Sequence, residues 1–185
     1  ESGANNGHGQ VTITPKAYTE KILVANSGET NNTIIEGFTL VGCLDLFGSS
    51  PQIKDSKVKT ILSFSDDRSS STVEHLYLDI SGGAPVFNDV VFESETLDAS
   101  SMEGNGTWVT LDSTDVQFNG CDFSDLVTEL DGNASYRKGN VFYQSGGTAQ
   151  FDSCTFSNNT LTGASATNSE LKGNVYYLES GQANF

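Results

Sequence analysis

The chain has 185 residues, enough for one domain with a buried core, and its hydrophobic content of 36% excludes wholesale disorder. Twenty-four acidic residues against 9 basic ones leave a formal net charge of −15. That balance speaks against nucleic acid or an anionic membrane as a partner, and it is compatible with divalent cations. No apolar stretch reaches the length of a membrane-spanning helix.

Residues Glu1–Gln10 are small and polar and read as a loop or cap. Val11–Ile13 and Ile22–Ala25 are short strand candidates, so residues 1–31 form a cap with the first strands. Next comes NTIIEGFTL at 32–40, whose core fits the register of VFNDVVF at 86–92. Ile35 then occupies the place of Phe87, which leaves room for one coil between them. Val58–Phe64 is the strand expected for that coil, and Ser65–Ser71 is a polar loop.

From Tyr77 to Phe185 the chain repeats. Phe87, Phe118, Phe151 and Phe185 lie 31, 33 and 34 residues apart, and the ten residues before each align without a gap. Those blocks read YLDISGGAPV, WVTLDSTDVQ, VFYQSGGTAQ and VYYLESGQAN. Each holds two short runs, rich in β-branched and aromatic residues, parted by small residues, which is the signature of strands and not of helices. A repeat of this length means stacked supersecondary units. The expected fold is all-β: a parallel β-solenoid of about five coils in a single domain, 1–185, most regular over 77–185. Variable polar segments such as Glu93–Thr107 and Ser124–Asn140 serve as loops. Equivalent residues of neighbouring coils stack about 4.8 Å apart. The alignment therefore predicts core ladders of Phe87, Phe118, Phe151 and Phe185, of Phe92, Phe123 and Phe156, and of Val90, Cys121 and Cys154.

NTIIEGFTL resembles the strand signature of right-handed parallel β-helix proteins of the pectin-lyase-like superfamily. The later coils, with FDSCTFSNNT and GNVYY, resemble repeats of chlamydial polymorphic outer-membrane proteins and of large ciliate surface proteins. Phe156-Ser157-Asn158-Asn159 matches the Phe-x-x-Asn element of those families. Their Gly-Gly-Ala-Ile element is replaced by Gly139-Asn140-Val141 and Gly173-Asn174-Val175. The resemblance covers roughly 32–185 and implies the right-handed fold. Enzymes, adhesins and fibres all share that fold, so function must be argued from sites.

Chemistry-bearing groups are sparse. Gly7-His8-Gly9 matches a catalytic tripeptide of polygalacturonases but precedes the paired carboxylates Asp66 and Asp67, where that family has it after them. Asp66 and Asp67 are the candidate Ca²⁺ ligands or acid–base pair, against the plainer reading of a solvated turn. Asp112 and Asp115 align with Ser145 and Thr148, so they build no carboxylate ladder. Asn31, Asn105, Asn133 and Asn158 each open an Asn-x-Ser/Thr acceptor for N-linked glycans. Cys121 and Cys154 are a possible disulfide or a pair of free core thiols, and Cys43 has no evident partner. The aligned positions lack the repeated Thr array that ice binding would want.

The first expectation is a non-catalytic, secreted or cell-surface solenoid: an adhesin, stalk or filament subunit without nucleic acid, transmembrane segment or cofactor. The competing one is a polysaccharide lyase or glycoside hydrolase of the pectin-lyase-like class. The block VYYLESGQANF stops where a second strand should start. The chain is therefore expected to be a piece of a longer solenoid, or to meet another copy end to end.

Overall fold

The computed structural model describes residues 11–14, 21–59, 78–93, 97–98, 104–105, 108–130, 136–163, 170–173 and 175–185. Among them every strand pairing is parallel and no helix occurs. Three sheets of six strands form the walls of a parallel β-helix. The first sheet stacks Lys21–Ala25, Cys43–Phe47, Leu78–Ser81, Val109–Asp112, Phe142–Gln144 and Tyr176–Leu178. The second stacks Ile34–Glu36, Gln52–Lys54, Val86–Asn88, Thr114–Asn119, Gly147–Asp152 and Gln182–Asn184. The third stacks Val11–Ile13, Phe38–Val41, Lys57–Lys59, Val91–Glu93, Asp122–Ser124 and Thr155–Ser157. The chain visits first, second and third sheet in turn, five times over.

Because strand side chains alternate, each rung sends one set inward and one outward. In Thr114–Asn119 the buried residues are Thr114, Val116 and Phe118, and the exposed ones Asp115 and Gln117. Stacking in register makes the inward set into ladders. Phe87, Phe118, Phe151 and Phe185 have neighbouring ring centroids 4.9, 5.1 and 4.9 Å apart, with planes within 19°. Phe92, Phe123 and Phe156 stack at 4.5 and 5.2 Å. The two ladders meet edge to face, Phe118 on Phe123 at 5.4 Å and 78°. Phe142 of the first sheet wedges between them, 4.9 Å from Phe123 and 5.7 Å from Phe118. Aromatic rings thus take both of their favoured contacts at once.

Two local expectations change. The residue that stacks between Ile35 and Phe87 is Ile53, on Gln52–Lys54. Val58 belongs instead to the ladder of Leu40 and Phe92, on a strand that spans Lys57–Lys59. The first coil is therefore short: Ile35 to Ile53 and Leu40 to Val58 are each 18 residues. Eighteen residues suffice for three strands and three tight turns, and the longer spacing of later coils hid this.

The later coils spend their extra length between the third and first sheets. There the segments read as plain loops carry strands of their own. Leu97–Asp98, Val127–Leu130 and Thr160–Gly163 form one three-stranded parallel sheet, and Gly104–Asn105, Tyr136–Lys138 and Glu170–Lys172 another. Neighbouring coils of nearly equal length run alongside each other, so their backbone donors and acceptors pair rung to rung.

The turns obey the same rule. Between the second and third sheets, Gly37, Asp55, Asp89, Gly120 and Ser153 all have positive φ, from 45° to 77°. Gly, Asp and Ser recur there because the left-handed region excludes most side chains. The amides of Gly37, Asp55, Asp89 and Gly120 each donate to a carbonyl of the next rung, at 2.8–3.2 Å.

Candidate functional site

The buried polar groups serve the stack itself. Gln144 points inward with no exposed surface. Its Nε2 donates to the carbonyls of Gly146, Gly147 and Gln182 at 3.0–3.1 Å, and its Oε1 accepts from the Tyr176 hydroxyl. Asn159 accepts from the Leu126 amide at 3.0 Å and donates to the Phe123 carbonyl at 2.7 Å. The sequence match to Phe-x-x-Asn thus marks a side chain that fastens one coil to the next. Gly139 and Gly173 of the two Gly-Asn-Val runs sit at φ 74° and 72°, each packed against the carbonyl three residues on.

The carboxylates outside the core also bond between rungs. Asp112 accepts from the Ser145 hydroxyl at 2.9 Å, and Asp115 accepts from the Thr148 amide at 3.1 Å. Glu93 receives Lys59 at 2.5 Å and Lys57 at 3.3 Å, and the two ammonium groups hold its carboxyl below the usual range. Among the described residues no group of three or more His, Cys, Asp or Glu comes together to hold a metal ion. Asp66, Asp67, Arg68, His8 and Asn133 lie outside the described residues.

Of the glycan acceptors, Asn31 is exposed in a turn, and its carbonyl accepts from Gln52. Asn158 is exposed at φ 55° in the turn that leaves the third sheet. Asn105 lies on Gly104–Asn105, where its backbone pairs with Lys138.

Cys121 and Cys154 stack on adjacent rungs as free thiols. Cys121 is buried, and Cys154 is partly exposed. In-register strands hold equivalent β-carbons about 4.8 Å apart. A disulfide wants roughly 3.5–4.5 Å. Each sulfur turns instead toward the carbonyl of the rung below, Cys121 to Phe87 at 3.6 Å and Cys154 to Phe118 at 3.3 Å. The Cys121 thiol beside it holds Cys154 down, to about 7, and Cys121 is itself pushed up. Burial raises Cys43 to about 11.

What remains is the pair of surfaces at the ends of the stack. At one end Phe185 is 76% exposed, although its ring lies 4.9 Å from Phe151, and Leu178 is 43% exposed beside it. At the other end Val11 is 57% and Ile13 38% exposed, although both sit on strand positions that point inward in every later coil. Each is an apolar cross-section flanked by strand edges. The sequence shows these residues but gives no sign that they share a surface, because only the stacking order brings them together.

No protein-family model matches this sequence, and no curated protein or solved structure is significantly similar to it. No helix among the described residues is long and apolar enough to cross a membrane.

Proposed function

We propose that this chain is a non-catalytic structural or adhesive β-solenoid that works outside the cell, as the subunit of a surface fibre or filament that joins end to end. The observation that carries this reading is the pair of exposed apolar ends. A ladder that is fully buried at Phe87 and Phe118 runs out to a largely exposed ring at Phe185. Such an end has unpaired strand edges over an apolar cross-section, the kind of surface that recruits more strands. A head-to-tail contact does not close on itself and so builds fibres. The acid-rich composition supports solubility of such a subunit in an exposed setting.

The finer family reading belongs here as well. The three-walled parallel stack and NTIIEGFTL support a place in the pectin-lyase-like superfamily, and the later coils support kinship with surface-protein repeats. Asn31 and Asn158, both exposed in turns, are the glycan positions favoured by this reading. The enzyme reading is weakened by the engagement of Asp112 and Asp115 in bonds between rungs.

Two measurements on purified material test the proposal. Negative-stain images should show fibres, and incubation with polygalacturonate, with or without Ca²⁺, should give no product. Turnover that disappears on Asp67→Ala would replace the structural reading with the enzymatic one.

A further inference from the structure

The two ends of the stack differ in height from wall to wall. Among the described residues the third sheet starts one strand before the other two, with Val11–Ile13, and it stops one strand before them, with Thr155–Ser157. At the far end the first and second sheets rise one strand further, with Tyr176–Leu178 and Gln182–Asn184. One end therefore carries a projecting third-sheet strand, and the other has a notch in the third-sheet wall. Each sheet holds six strands, so the projection and the notch are each one strand deep. The floor of the notch is Phe156, half-buried, with Phe185 and Tyr176 beside it at 6.1 Å and, from Phe185 to Tyr176, 5.7 Å.

We infer that Val11–Ile13 of one copy fills the notch above Thr155–Ser157 of another copy, completing its sixth rung and continuing all three sheets through the joint. This deepens the filament reading and rests on it. Val11–Ile13 pairs with Phe38–Val41 on one side, and all three of its residues are exposed. Its other edge faces off the stack. The ladder registers fix what the joint brings together. Ile13 stands in the column of Leu40, Val58, Phe92, Phe123 and Phe156, so it falls on Phe156 of the neighbour. By the same continuation Ile35 falls on Phe185, and Leu23 on Tyr176. Every such contact is apolar on both sides. The occupant is a second copy of this chain, because its end repeats the strand order, direction and step that the notch lacks. Two like ends cannot meet this way, since projection would face projection.

The test is a pair of variants that block opposite ends, followed by sedimentation velocity. Ile13→Asp places a charge on the projection, and Phe185→Asp places one beside the notch. Both residues are exposed in the single chain, so both variants should keep the wild-type circular dichroism spectrum. Each alone should fail to elongate where the wild type does, and an equimolar mixture should sediment as a one-to-one dimer. Thr12→Asp, on the same strand but pointing off the core, should elongate like the wild type. Variants that elongate normally, or a mixture that stays monomeric, would overturn the joint while leaving a wild-type fibre to stand by another contact. A wild-type chain that forms no fibre at any concentration, or native material in which further coils of the same chain fill the notch, overturns the joint outright. The structural reading is then decided by the polysaccharide assay.

Discussion

Phe118 touches more of the core than any residue beside it in the ladder. Its ring stacks on Phe87 and Phe151 and meets Phe92, Phe123 and Phe142 edge-on, with no exposed surface. Phe118→Ala opens a cavity between two rungs that the rigid stack cannot close, and should cost about 3–5 kcal/mol in denaturant unfolding. Gly147 tests the turns in the same way. At φ 72° its missing β-carbon would lie 1.9 Å from the Thr114 carbonyl oxygen, a backbone atom of the rung below. Gly48, at φ 61°, has nothing within 4 Å of that position. Gly48→Ala should therefore cost only the left-handed conformation, roughly 1–2 kcal/mol. Gly147→Ala should cost clearly more, and equal losses at the two sites would contradict the close approach. The thiols give a readout in solution. Cys154, held near pH 7 by its neighbour, should be alkylated at a rate that climbs through about pH 7 and levels off about a unit higher. Cys43, raised to about 11, should still be accelerating at the top of that range. Peptide mass spectrometry separates the two, and a Cys154 that reacts only in step with Cys43 would remove the assigned coupling.

At the scale of strands and coils, the residue spacing made the later part of the fold legible. Equal intervals between Phe87, Phe118, Phe151 and Phe185 follow directly from the stacking, because each coil must return to the same wall. The short first coil was not legible for the same reason. Ile53 sits 18 residues from Ile35 and is flanked by Gln52 and Lys54, which a search for an interval above 30 passes over. The extra strands such as Val127–Leu130 were hidden because their pairing is dictated by the coil beneath and not by their own pattern. Asn159 was visible as part of a match, yet its role as a clamp on Leu126 and Phe123 needed the neighbouring coil. The end surfaces were the least legible. Ile13 and Phe185 lie at opposite ends of the chain, and only the wall-by-wall strand order gives one a projection and the other a notch.

For the whole molecule, eighteen wall strands make six full rungs once the projection of one copy is counted into the notch of the next. The joint should then be indistinguishable from any interior step, with Val11 covering the partly exposed Cys154 as Cys154 covers Cys121. Cys154 alkylation should fall sharply on assembly, while alkylation of Cys43 should not. The most direct measurement is the axial rise per subunit in a helical reconstruction of the fibre. Six rungs at strand spacing predict a rise of about 29 Å, with strand density unbroken across the joint. A rise that is not six strand spacings, or a gap between copies, would contradict the account.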